Sequence, residues 1–171
     1  GVHLTVIGEE NVPKDTPVLY VGNHRSFFDI IITYARCPRL TGYVAKDSML
    51  KVPLLSLWMK RLYCLFLNRS DVKEGLKTIL TGIDQIKHGI SMCIFPEGTR
   101  SKNKSETEML PFKEGSLKMA EKSGCPVIPM ALTGTADILE NHFPRIKPTH
   151  VILEYGEPIY IKELSKEDKK D

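Results

Sequence analysis

Seven short apolar runs recur along the chain with helix-patterned segments between most of them, and that alternation constrains the fold more than any other feature. The runs are Val2 to Ile7, Val18 to Val21, Thr41 to Ala45, Tyr63 to Leu67, Ile90 to Phe95, Val127 to Leu132 and Val151 to Tyr155. Short runs of this kind read as strands. Between them, residues 71 to 88 give the clearest helix: Val72, Leu76, Ile79, Leu80, Ile83 and Ile86 share one face, Asp71 can cap the start and Gly89 follows the end. A second helix is expected over Phe112 to Lys122, ending at Gly124, with others after Phe27 and after Pro53. Strands that alternate with helices predict an α/β fold, a single layered domain whose largely parallel or mixed sheet is flanked by helices.

The 171 residues suit one domain and are too few for two of ordinary size, so residues 1–171 are read as a single unit. Hydrophobic residues at 42% and charged residues at 26% exclude a disordered or fibrous chain. The net charge of +3 is spread thinly, too weak a field to argue for nucleic acid. Cys37, Cys64, Cys93 and Cys125 form no Cys-x-x-Cys and sit among apolar neighbours, which predicts reduced thiols and no metal site. No stretch approaches the roughly 20 apolar residues that cross a bilayer. The chain opens without methionine in a strand-like run, and we expect a fragment lacking an N-terminal membrane-anchoring segment. Lys102 to Glu108 reads as a surface loop, and Lys162 to Asp171 as a charged helix or tail.

Two runs carry chemistry. In the first, Gly22-Asn23-His24-Arg25-Ser26-Phe27-Phe28-Asp29 follows a strand, where a sheet fixes the backbone and a loop exposes the side chain. Residues five apart in an unbroken helix are rotated by roughly 140° and do not meet. A pairing of His24 with Asp29 therefore needs a turn, with His24 in the loop and Asp29 in the first helical turn. The carboxylate would then fix the imidazole tautomer while the other ring nitrogen takes a proton from a substrate hydroxyl. Taken alone, such a pair is more often a loop histidine and a helix cap. In the second run, Phe95-Pro96-Glu97-Gly98-Thr99-Arg100-Ser101 ends another strand: Gly98 permits close approach of a ligand, and the Arg100 guanidinium can hold two phosphate oxygens. Its plain alternative is a solvent turn in which Glu97 pairs with Arg100. A third run, Ala45 to Leu55, opens at a strand end, where Lys46 could join Arg100 on phosphate, and Leu54, Leu55, Leu57, Trp58 and Met59 form a stripe suited to core packing, an acyl groove or a membrane interface. A fourth, Val127-Ile128-Pro129, reads as a buried strand bent at its proline.

In this order the four runs resemble the glycerolipid and phospholipid acyltransferases, most closely the 1-acylglycerol-3-phosphate type. His24 and Asp29 match that family's His-x-x-x-x-Asp motif, and Phe95 to Ser101 its Phe-Pro-Glu-Gly-Thr-Arg-Ser motif. Lys46, Leu50, Pro53 and Arg69 resemble its second motif, and Val127 to Pro129 its fourth; Ser56 and Asn68 depart from the commonest pattern. The resemblance implies acyl transfer from acyl-CoA or acyl-carrier protein to lysophosphatidic acid within phospholipid biosynthesis. It implies His24 and Asp29 as catalytic residues, and Lys46, Arg69, Glu97, Gly98, Thr99 and Arg100 around the acceptor. It also implies no cofactor beyond the co-substrate, and attachment to the cytoplasmic face of a membrane. The same residues leave open another acceptor, such as glycerol-3-phosphate or a lysophospholipid, a thioester hydrolase, and a non-catalytic lipid-binding module, which would not need the His24 and Asp29 pair.

Overall fold

Leu19, Tyr20 and Val21 are consecutive and all buried, as in a strand covered on both faces. In the structure, a computed structural model that describes residues 1–68, 70–103, 108–113 and 115–164, this strand lies at the centre of a seven-stranded sheet. The strands are β1 (Val2–Ile7), β2 (Leu19–Gly22), β3 (Thr41–Lys46), β4 (Leu65–Leu67), β5 (Ser91–Ile94), β6 (Val127–Thr133) and β7 (Thr149–Tyr155), ordered β1-β7-β6-β2-β5-β3-β4. Every neighbouring pair is parallel except β6 with β7. The single α/β domain with a largely parallel, mixed sheet is therefore the one expected.

Four helices accompany the sheet: α1 (Phe28–Arg36), α2 (Pro53–Arg61), α3 (Val72–Lys87) and α4 (Lys118–Ser123). Because successive strand residues point to opposite faces, the core divides in two. Tyr20, Tyr43, Cys93 and Ile128 meet Ile30, Ile32 and Tyr34 of α1 on one side. Leu19, Val21, Met92 and Val127 meet Ile83 and Ile86 of α3, with Met119 and Ala120 of α4, on the other. The four cysteines are free thiols.

Local differences from the expected elements have local causes. The side chain of Asp71 caps α3, accepting from the amides of Lys73 and Glu74 at 2.9 and 3.2 Å. Only the C-terminal half of its apolar face is covered, however: Ile83 and Ile86 are buried, whereas Val72, Leu76 and Leu80 are exposed. The contact centres on Gly82, where an added Cβ would lie 2.6 Å from the sulfur of Met119. The helix expected from Phe112 begins only at Lys118, because Gly115 has φ +84°, which no helix accommodates, and the Ser116 hydroxyl bonds the Lys113 carbonyl. The strand expected from Tyr63 begins at Leu65, since Tyr63 itself has φ +59° and the Cys64 amide turns back to Met59. The stripe on α2 is split: Ser56 is buried and Leu55 and Met59 half-buried, while Leu54, Leu57 and Trp58 face outward, Leu54 at 85% exposure. Of the polar run from Lys102 and the charged end from Lys162, residues 104–107 and 165–171 fall outside the described residues.

Candidate active site

β2 and β5 are parallel neighbours, so the loops after Gly22 and after Ile94 open side by side at one edge of the sheet. In parallel sheets that carboxyl edge is where sites assemble. The first loop is held by Asn23, whose side chain donates to the Leu132 carbonyl and accepts from the Leu132 amide, both at 2.8 Å. Asn23 thus extends the β2 to β6 ladder by one further pair and fixes the backbone from which His24 projects.

His24 then meets Asp29 as the turn requires. Its Nδ1 lies 2.8 Å from Oδ2 of Asp29, with Asp29 fully buried and the imidazole 15% exposed. The ring stacks on Phe95 at 4.3 Å between centroids and 14° between planes. A carboxylate on Nδ1 holds the ring proton there and leaves Nε2 as the basic nitrogen. Oδ2 also accepts from the amides of Arg25 and Ser26, each at 2.8 Å, so Asp29 shapes the turn as well as orienting the ring.

The Phe95 to Ser101 segment clasps the same histidine by its backbone. The His24 amide donates to Oε1 of Glu97 at 2.8 Å, and the Ser101 amide donates to the His24 carbonyl at 2.7 Å. The second oxygen of Glu97 accepts from the Leu110 amide at 2.8 Å, and the residue is 2% exposed. Glu97 is therefore committed to two backbone amides and acts on the site through the position of His24, not by facing a ligand. Nor does it pair with Arg100 in solvent. Gly98 turns the segment at φ +74°, its amide bonding the Phe95 carbonyl, and Thr99 and Arg100 beyond it are exposed. Phe95, Pro96 and Gly98, with Val44, Ile79 and Met119, line a partly open cavity of about 70 Å³.

Arg100 pairs with Glu140, Nη1 to Oε1 at 3.1 Å. Glu140 also accepts from the Ser26 hydroxyl and the Phe27 amide, both at 2.7 Å. Asn23 and Glu140 are the residues the sequence did not assign. Asn23 at least adjoins the motif, whereas 116 positions separate Glu140 from His24 and only the fold brings it near. Lys46 ends β3, one strand beyond β5 at the same edge, and is exposed. Arg69 lies outside the described residues.

The amides along the turn are occupied from within. Those of His24, Arg25, Ser26 and Phe27 go to Glu97, Asp29, Asp29 and Glu140; that of Phe28 goes to the Ser26 hydroxyl at 3.0 Å and that of Asp29 to the Ser26 carbonyl at 3.3 Å. A helix start usually offers such donors to an anionic ligand. Here those of residues 24–29 are spent on the protein's own groups.

The Acyltransferase family model matches residues 3–133. The chain is 32% identical over 168 residues to a 1-acyl-sn-glycerol-3-phosphate acyltransferase of Saccharomyces cerevisiae, covering 98% of this chain and 55% of the yeast protein. It is 33% identical over 164 residues to the protein of the same name from Borreliella burgdorferi, covering 94% and 60%. The chain thus spans a little over half the length of these relatives. The crystal structure of the 1-acyl-sn-glycerophosphate (LPA) acyltransferase PlsC from Thermotoga maritima superposes with a TM-score of 0.82 at 30% identity, covering 98% of this chain and 66% of that one. With the family model matched across β2, β5, the start of α1 that carries Asp29 and the loops that carry His24 and Arg100, the chain belongs to the acyltransferase family.

Proposed function

We propose that this domain transfers a fatty acyl group from a thioester, acyl-CoA or acyl-carrier protein, to the free hydroxyl of 1-acylglycerol-3-phosphate, giving phosphatidic acid. One observation carries the reading: an oriented imidazole, Nδ1 at 2.8 Å from a buried carboxylate and Nε2 left basic, on a loop tied through Glu140 to an arginine. His24 takes the proton of the acceptor hydroxyl through Nε2 as the oxygen attacks the thioester carbonyl. The tetrahedral intermediate collapses with loss of the thiolate, which takes the proton back from the imidazolium. The substrate supplies the alcohol, so the reaction needs no nucleophile from the protein and no cofactor beyond the co-substrate. Arg100 and Lys46, with Arg69, hold the acceptor's phosphate, while Gly98 and Thr99 border the glycerol. The apolar cavity behind Pro96 and Gly98 offers room to part of an acyl chain.

Among the described residues no helix is long and apolar enough to cross a membrane. We infer contact with a membrane surface, on its cytoplasmic face, from the outward Leu54, Leu57 and Trp58 of α2 beside exposed Lys51, Lys60 and Arg61, a combination suited to an anionic lipid interface.

The test is to incubate purified protein with acyl-CoA or acyl-carrier protein and a panel of acceptors, namely 1-acylglycerol-3-phosphate, glycerol-3-phosphate, a lysophospholipid with a head group, and none, and to identify the product by mass. Phosphatidic acid is the expected product. Formation of product from another acceptor alone, or free fatty acid with no lipid product, would overturn the assignment. His24→Ala, in a folded protein, should lower the rate about a hundredfold or more, as expected for loss of a general base.

A further inference from the structure

Glu140 belongs to none of the four runs, yet it bonds to both of the ones that carry chemistry. Its Oε2 accepts from the Ser26 hydroxyl at 2.7 Å, and its Oε1 accepts from the Phe27 amide at 2.7 Å and from Nη1 of Arg100 at 3.1 Å. The carboxylate is held by two donors that do not depend on Arg100, and both lie at the start of α1, where the helix dipole offsets part of its charge. Arg100, by contrast, is a long side chain that is half-exposed. The arrangement is asymmetric: a fixed carboxylate grips one nitrogen of a guanidinium whose remaining donors stay available.

We propose that Glu140 is a positioning residue for the acceptor: it anchors Arg100 to the turn between His24 and Asp29, so that the group gripping the phosphate and the group taking the proton are held in one frame. The proposal rests on the reading that Arg100 binds a phosphate. It goes beyond that reading by assigning the acceptor's affinity partly to a residue that does not touch the acceptor. Two effects of Glu140 oppose each other. Its charge repels a phosphate, while its grip removes freedom that Arg100 would otherwise lose on binding. Its carboxylate is already satisfied by Ser26, Phe27 and the helix start, so the grip prevails.

Glu140→Gln keeps the turn and weakens the grip: the amide oxygen at the Oε1 position still accepts from Phe27, and it offers Arg100 a neutral acceptor in place of the carboxylate. Steady-state kinetics with 1-acylglycerol-3-phosphate should show KM raised about fivefold, the size expected for one side chain left to be ordered on binding, with kcat falling by less. In an Arg100→Ala background, itself with a raised KM, the Glu140→Gln change should add nothing further, because Glu140 acts through Arg100. A merely structural role would instead give additive losses. An unchanged or lowered KM in Glu140→Gln overturns the proposal while leaving the phosphate reading intact if Arg100→Ala still raises KM. If Arg100→Ala leaves KM unchanged, the phosphate reading falls and this proposal falls with it. Should Glu140→Gln not fold, Ser26→Ala, which releases Oε2 and the Phe28 amide while leaving both bonds to Oε1, is expected to raise KM in the same direction and to lose that effect in the Arg100→Ala background; a KM that does not move, or additive losses, overturns the proposal.

Discussion

At the scale of single residues, the loop that bears His24 is organised by carboxylates that bond to amides. Asp29, Glu97 and Glu140 together accept from the amides of His24, Arg25, Ser26, Phe27 and Leu110. A carboxylate can accept at every lone pair, which an amide side chain cannot. Glu97→Gln would turn an NH₂ group toward the amide of either His24 or Leu110 and leave that buried donor unpaired. The expected cost is about 1–3 kcal/mol of stability, together with slower acyl transfer as the His24 backbone shifts. A denaturant melt and a rate assay check both, and a variant equal to wild type in the two would remove Glu97 from this role. The His24 and Asp29 pair was legible in the sequence as a geometric condition, a turn between them. The work done by Glu97 was not, because a carboxylate in a short polar run reads equally as a ligand, an ion-pair partner or a clamp until its burial is known.

At the scale of elements, periodicity located α3 and its cap because Asp71, the apolar face and Gly89 all agree, whereas backbone dihedrals decided the elements that were misplaced. No side-chain pattern announces φ +84° at Gly115 or φ +59° at Tyr63, and these two residues set where α4 and β4 begin. Burial of a stripe is no easier to read, since it depends on what lies opposite: Leu54, Leu57 and Trp58 on α2 have the composition of a core and the exposure of a surface. Trp58 is the chain's one tryptophan, so its emission reports on α2 alone. If this face meets lipid, adding anionic vesicles should shift the emission to shorter wavelength, with the shift weakening as salt screens the basic neighbours. Emission that does not move with anionic vesicles would exclude α2 from the interface.

For the whole molecule, strand alternation was enough to predict layers and a largely parallel sheet, because a chain of this size has few other ways to cover both faces of its buried strands. The order of the strands was not legible, and order is what places β2 beside β5 and brings Glu140 to the site. The two-sided core has a measurable signature in pH. Burial pushes the thiols of Cys37, Cys64, Cys93 and Cys125 up from their ordinary value of 9.0, and the phenols of Tyr20, Tyr43 and Tyr155 up from 10.0. These acids stay neutral in the folded protein at a pH where the unfolded chain ionises them. Their contribution to stability is fully present below the unfolded values and is lost as the pH rises above them. The melting temperature should therefore fall steadily once the pH passes about 9, and Cys93 and Cys125 should react with a thiol reagent only as the protein unfolds. Rapid labelling of either in the native protein would contradict the packing described.

The turn whose amides are all taken up internally separates two design problems that many ligand sites combine. Under the proposed function, the groups that move the proton are closed on themselves, while the surface that selects the alcohol lies on Lys46 at the end of β3 and on Thr99 and Arg100 in the loop after β5. Acceptor preference is thus open to engineering at those positions, with residues 23–29 kept as a fixed cassette.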